Sequence, residues 1–415
     1  MRKFALVILS MILLLAVFPV GSASAAPSIT AAAAVVIDFD SGEVLYEHNM
    51  RATRAPSSMS KVLTAFVVYE EIAAGKLSFD TIVKVSSNAA AISTNRSIQG
   101  SYVPMTAGRT YSVDSILHLM LLPSGNAACV VMAEHIAGTE SEFAKRMNET
   151  GKSIGMTLNF NNSHGGIPNY TTAYSMGLLI REFIRRYPDI LRITSRRSFV
   201  FDGRTYTNTN LLIQNGSNAY SGADGFKTGT TREGGYCLSS TAKRNGKRII
   251  SIVMGSRNNS TRYSDSRALL DYGFAEAARR DAEAAKVEEA RVEAARVFVS
   301  IDGIPLESDV APQMIDSRVM VPIRAIFEAF GARVEWNKTA QTVTAFANES
   351  DVITLTVGSR SIRKNGQASE IDVPPQLVGG GRVLVPVRFV AEALGAQVQW
   401  NSSTRTVNIL SDNSG

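Results

Sequence analysis

The sequence predicts two α+β domains joined by a charged helix, and three observations carry that prediction. Strand-like runs stand at both ends of residues 26–275 around a helical middle, which is the pattern of an α+β domain with its terminal strands in one antiparallel sheet. Residues 276–296 hold only Ala, Glu, Asp, Arg, Lys and Val, with no Gly or Pro. Residues 297–415 contain an internal repeat. A chain of 415 residues is too long for one ordinary core, so two or more domains agree with its length. Its 45% hydrophobic and 19% charged residues are those of a globular chain, not a disordered one.

Arg2 and Lys3 precede an apolar run from Phe4 to Val20, and Ala23-Ser24-Ala25 supplies the small residues a signal peptidase accepts. Residues 1–25 therefore read as a signal peptide, with an uncleaved membrane anchor as the alternative. Either way the rest of the chain is exported. Removal of Arg2 and Lys3 takes the formal charge from +6 to +4 (41 basic minus 37 acidic residues), a modest positive balance that would suit anionic surroundings and that many soluble proteins carry as well. Cys129 and Cys237 both sit among small or apolar residues and read as two separate buried thiols, with a single disulfide between them as the alternative in an exported chain.

In the first domain, Ala34–Phe39 and Glu43–Tyr46 flank Asp40-Ser41-Gly42 and predict a hairpin. Residues 60–74 are apolar at helical spacing. A second helix is expected from Val113 to Leu122, stopped by Pro123, and a third from Asn126 to Ile136. Gly235–Thr241 and Arg248–Met254 read as strands. From Ala275 to Arg296 the pairs Glu276/Arg279, Glu283/Lys286, Glu288/Arg291 and Glu293/Arg296 place opposite charges three residues apart. The stretch is expected to be a semi-rigid helical spacer roughly 30 Å long.

The repeat keeps a fixed register. Val319-Met320-Val321-Pro322-Ile323-Arg324 recurs as Val383-Leu384-Val385-Pro386-Val387-Arg388 at an offset of 386 − 322 = 64, which also carries Gly331 onto Gly395, Trp336 onto Trp400 and Val343 onto Val407. Each unit (about 297–346 and 360–410) reads strand, Pro-started helix, strand, turn, strand. The two Trp residues are expected to anchor the small cores of their units. This segment resembles the stalk-like repeat domain named after the N-terminal domain of copper amine oxidases. The name implies no metal here: His48, His118, His135 and His164 all precede residue 165, and neither Cys lies in the repeats. A spacer or adhesion module is expected.

Three short motifs carry chemistry: Ser58-Met59-Ser60-Lys61, Ser124-Gly125-Asn126 and Lys227-Thr228-Gly229. Each is weak alone; together, in this order, they are the Ser-x-x-Lys, Ser-x-Asn, Lys-Thr-Gly set of acylating serine enzymes. A serine needs a neighbouring base, and Lys61 shares a helix face with Ser58. That lysine must be held neutral by burial and nearby positive charge, for which Lys227 is the candidate. Free backbone N–H groups at the start of the helix, and the N–H of Thr230 beyond Lys-Thr-Gly, are candidate oxyanion donors. Gly229 is expected to let an acyl chain lie against its strand.

These segments, with Ala55–Lys61, Leu122–Ala128, His164-Gly165-Gly166-Ile167-Pro168, Tyr170–Ala173 and Asp224–Thr230, resemble those of the D-alanyl-D-alanine carboxypeptidase family over about residues 30–275. The resemblance implies a penicillin-binding/β-lactamase-like fold, an antiparallel sheet with helices on both faces. It implies Ser58 as nucleophile, Lys61 as acylation base and Ser124 as proton relay to the leaving D-alanine. Asn126 would hold the peptide amide, Lys227 would supply positive potential, and Thr228, Gly229, Thr230 and Arg262 would line the site of the terminal carboxylate. Arg262 as a solvated surface residue is the alternative.

Peptidoglycan stem peptides are the implied substrate and β-lactams the covalent inhibitors, with no cofactor, no metal and no nucleic acid. His164 is not expected to form a triad with Ser58, and Asp224 reads as a turn residue. A class A β-lactamase would need a Glu for deacylation, and residues 158–173 contain no acid. Endopeptidase action on the same acyl-enzyme stays open, as does the role of a non-catalytic wall-binding protein. Where some members continue into a small all-β domain and an amphipathic anchor, this chain has the charged helix and the repeats.

Overall fold

A computed structural model describes residues 25–95, 101–347 and 351–411. The proposed signal segment falls, up to residue 24, outside the described residues. The chain divides into two compact units, 1–282 and 283–415.

In the first unit the expected hairpin forms from β1 (Ala33–Asp38) and β2 (Val44–His48). The middle supplies α1 (Lys61–Ala73), α2 (Val113–Leu121), α3 (Asn126–Ala137), α4 (Glu140–Ser153) and α5 (Ala173–Arg186). Three strands follow, β3 (Ala223–Thr231), β4 (Gly235–Arg244) and β5 (Lys247–Ser256), and then α6 (Asn259–Ala295). The sheet order is β2-β1-β5-β4-β3, antiparallel throughout, so the first and last strands of the unit meet at its centre and β3 lies at an edge.

Beta-strand alternation accounts for the two layers against this sheet. Val35 and Ile37 of β1, with Ile250, Ile252 and Met254 of β5, point into the large core formed by the helical middle. Their neighbours Ala34, Val36, Ile249 and Val253 point to the other face, where Tyr263, Leu269, Leu270 and Ala277 of α6 cover them. Strands β4 and β5 run longer than the sequence predicts and are joined by Asn245-Gly246, both at positive φ (48° and 83°), the two-residue turn that matches strand twist.

Helix α6 is continuous from the sheet-covering segment into the charged stretch. Three of the expected pairs form: Glu276–Arg279 at 2.9 Å, Glu288–Arg291 at 2.7 Å and Glu293–Arg296 at 3.5 Å. Glu276 and Ala277 are buried in the first unit, and Arg280 reaches Glu43. The two compact units divide after Ala282, and burial of α6 by the sheet runs a little past Ala275, where the composition changes.

In the second unit the first repeat forms β6 (Arg318–Pro322), α7 (Ile323–Ala329), β7 (Arg333–Asn337) and β8 (Thr342–Phe346). The second forms β9 (Arg382–Pro386), α8 (Val387–Ala393), β10 (Gln397–Asn401) and β11 (Thr406–Leu410). Strands β6 and β9 pair antiparallel with Met320 opposite Pro386, Val321 opposite Val385 and Pro322 opposite Leu384. Because 385 − 321 = 64, Val321 faces its own repeat equivalent, and the two halves meet about a local pseudo-twofold. Ile326, Phe327, Val390 and Ala391 fill the shared core. The two tryptophans do not: Trp336 is 37% exposed and Trp400 41%. That corrects the expectation that they anchor the cores; the aliphatic positions of α7 and α8 do so instead.

Candidate active site

Ser58 lies in a 3₁₀ turn, Ser57–Ser60, that runs directly into α1. The sequence predicts the α-helix to begin there, but Pro56 and a positive φ at Ser57 (53°) tighten the entry into a shorter turn. Two glycines make room for it. A Cβ on Gly165, which has φ +96°, would stand 2.0 Å from the Ser57 carbonyl oxygen. A Cβ on Gly229 of β3 would stand 2.5 Å from the Pro56 oxygen. Gly229 therefore admits the turn bearing Ser58 against the edge strand.

One turn on, Lys61 is fully buried and its Nζ donates to three oxygens: Ser58 Oγ at 2.9 Å, Asn126 Oδ1 at 2.9 Å and the His164 carbonyl at 2.5 Å. Burial pulls this ammonium down to about 8. Lys227 on β3 is also fully buried and donates to the Thr228 carbonyl; burial first, and then the charge of Lys61, hold it well below the ordinary lysine range. The depression of Lys61 is thus chiefly desolvation, where the sequence suggests a charge from Lys227 as well.

Ser124 sits at the break between α2 and α3, buried, with φ 69°. That conformation turns the chain so that Asn126, the first residue of α3, reaches Lys61. Thr228 is buried with its hydroxyl 2.7 Å from that of Thr209, while Thr230 is exposed at the end of the same edge strand. Arg262, only 7% exposed, is not a solvated surface residue. Its Nη1 donates to Thr230 Oγ1 at 3.0 Å and to the Gly229 carbonyl at 3.3 Å, its Nη2 to Tyr263 Oη at 3.2 Å, and its buried Nε has no protein acceptor. Among the described residues no carboxylate forms an ion pair with Lys61, Lys227 or Arg262, although the charge of Glu140 is felt at Lys61.

His164 joins the site through its backbone. Its imidazole stands 3.9 Å from Glu140 and is pushed down to about 3 by burial and then by Lys61, so it is neutral near pH 7. Asp224 is not a turn residue: it lies in β3 and accepts both Nη groups of Arg248 at 2.7–2.8 Å. Sequence reasoning missed Glu140, whose Oε1 accepts from Ser163 N and Oγ. The Ser163 carbonyl accepts from Thr64 Oγ1, so this acid braces the loop that carries His164 against α1. Its only local signal is Thr139 capping α4, which explains the helix and not the brace. Cys129 and Cys237 are both free and buried, as expected.

Chemically, the arrangement offers a hydroxyl within hydrogen-bond reach of an amine, at the edge of a sheet where an extended peptide can be received beside cationic groups. Comparison with known proteins agrees with this. A family model described as D-alanyl-D-alanine carboxypeptidase matches residues 20–258, and one described as copper amine oxidase N-terminal domain matches residues 300–409. The D-alanyl-D-alanine carboxypeptidase DacF of Bacillus subtilis is 34% identical over 258 residues, 59% of this chain and 62% of its own length, so the chain spans somewhat under two thirds of that relative. The ampicillin-bound penicillin-binding protein D2 of Listeria monocytogenes superposes with a TM-score of 0.53 at 32% identity, over 60% of this chain and 98% of its own. The peptidoglycan synthesis regulatory factor PBP3 of Streptococcus pneumoniae superposes at 0.56 with 28% identity, over 60% of this chain and 72% of its own.

Proposed function

This chain belongs to the D-alanyl-D-alanine carboxypeptidase family, and from that premise we propose that it removes the terminal D-alanine from peptidoglycan stem pentapeptides through an ester on Ser58. The observation that carries the reading is the buried contact of Lys61 Nζ with Ser58 Oγ. With its amine neutral, Lys61 takes the hydroxyl proton as Ser58 Oγ attacks the penultimate D-alanine carbonyl. The tetrahedral oxyanion lies between the Ser58 turn and the edge strand, within reach of the N–H of Thr230. Collapse breaks the peptide bond, Ser124 relays the proton held on Lys61 to the departing amine, and free D-alanine leaves with Lys61 neutral again. Water then cleaves the ester and restores the Ser58 hydroxyl. Asn126 holds the peptide amide. Thr228, Thr230 and Arg262, whose Nη1 already reaches Thr230 Oγ1, receive the substrate's terminal carboxylate, Lys227 supplies positive potential, and Gly229 lets the acyl chain lie against its strand.

Release of D-alanine from a soluble pentapeptide ending in D-Ala-D-Ala tests the reading. Release by the unmodified chain and none by Ser58→Ala supports it; no release by a folded, penicillin-reactive chain sinks it. Export follows from Arg2, Lys3, the Phe4–Val20 run and Ala23-Ser24-Ala25. No described helix is long and apolar enough to cross a membrane. The segments are read as 1–25 signal, 26–275 catalytic domain, 276–296 helical linker and 297–415 stalk repeats that hold the enzyme at the wall.

A further inference from the structure

The 64-residue repeat places a second kind of site, twice, in the unit that carries no catalytic motif. Trp336 and Arg324 of the first repeat border a cleft with Val343, the cross-strand partner of Trp336, and the second repeat closes it with Arg382 and Val383. At the same offset, Trp400, Arg388 and Val407 border another cleft, closed by Arg318 and Val319 of the first repeat. The β6–β9 pairing produces this exchange, since each strand delivers its arginine to the cleft of the other repeat. The clefts are of similar size, about 440 and 510 Å³, within the range of small-ligand sites.

A large indole left more than a third exposed at two equivalent positions is unfavourable surface unless something covers it. The rims show what fits. Arg382 pairs with Asp309 and Arg318 with Asp372; Arg324 and Arg388 stand 3.7 and 3.9 Å from Glu328 and Glu392 on their own helices. Each guanidinium near an indole thus has a carboxylate beside it, and its remaining N–H groups are hydrogen-bond donors without net attraction for an anion. An apolar ring face bordered by paired donors and acceptors complements a pyranose, which has a C–H face and a rim of hydroxyl and amide groups.

We propose that the two clefts bind an uncharged polysaccharide strand, the sugar backbone of the wall, by stacking on Trp336 and Trp400. The choice of wall sugar rests on the proposed function of the first unit; the stacking itself does not. Two linked sites raise retention on a repeating polymer well above that of either site alone.

The chain has two Trp residues, both in these clefts, so tryptophan emission of the full-length protein reports on them and is silent at the catalytic site. Titration with peptide-free β-linked N-acetylglucosamine oligomers is expected to change that emission saturably, in the unmodified chain and in Ser58→Ala alike. Trp336→Phe and Trp400→Phe should each remove about half of the signal, and Arg324→Ala/Arg388→Ala should weaken binding about tenfold with both reporters intact. Trp336→Ala/Trp400→Ala, if its circular dichroism is native, should lose at least ~10-fold of the retention on insoluble peptidoglycan. An unchanged emission with the sugar, a response confined to a polyol-phosphate polymer or to a proline-rich peptide, or full retention of the folded double variant would each overturn the proposal. Failure of D-alanine release would leave the emission result untouched, so the two readings fail separately.

Discussion

On the proposed reading, Lys61 combines two demands that pull against each other: it is buried beside Ser58, and as the base it would have to be free to accept a proton. Depression to about 8 resolves the conflict, because the neutral fraction at pH 7 rises from ~1 in 3000 for an ordinary lysine to ~1 in 10. The sign is that of a base. Acylation of Ser58 by a β-lactam should quicken about tenfold per pH unit below ~8 and level off above it, as followed by stopped-flow; a flat profile from pH 6 to 9 would exclude Lys61 as the base. The adduct should persist, because residues 158–173 hold no acid and Glu140, the acid near the site, is engaged with Ser163. Intact-mass measurement should find it hours after mixing, and find none in Ser58→Ala. At Arg262 the expectation is a charge-assisted contact with the carboxylate. Arg262→Ala should lower kcat/KM for D-Ala-D-Ala peptides roughly 30- to 150-fold, as measured by D-alanine release. The contacts of Lys61 with Ser58 and Asn126 join two motifs that could be picked out in the sequence because each has a short fixed spacing. Glu140 and Thr209 could not be, because each meets the site only through the fold.

Elements decide how closely Ser58 meets the edge strand. The 3₁₀ turn Ser57–Ser60 sits against β3 with no room for a methyl group on Gly165 or Gly229. Gly165→Ala also forces an L side chain into φ +96°, where the backbone itself resists. Either substitution should displace the turn and cut β-lactam acylation on the order of 10²-fold, with a lowered melting temperature, while far-ultraviolet circular dichroism stays native. Retained acylation would show that the turn tolerates the shift. The hairpin of β1 and β2, helices α1 to α3 and the repeat strands were all readable, since alternation, helical spacing and Pro punctuation act within a dozen residues. The positive φ of Ser57 and the strand placement of Asp224 were not, because they answer to Gly165 and Arg248, distant in sequence.

For the whole molecule, the burial of Glu276 and Ala277 shows where the first unit can be cut. Truncation after Ala282 should retain activity on soluble peptide and lose co-sedimentation with purified wall, whereas truncation after Ala275 removes buried packing and should lower the melting temperature as well. Unchanged sedimentation of the Ala282 truncation would separate the repeats from wall attachment. Sequence alone determined the acylating motifs, the α+β class of the first unit, the charged helix and the two-fold repeat, because each is written in local periodicity or in direct self-similarity. Only the tertiary structure decided that Lys61 is depressed chiefly by burial, that Arg262 turns inward to Thr230, and that the two tryptophans face outward. Burial is a property of what the rest of the chain packs against, and no run of neighbouring residues contains it.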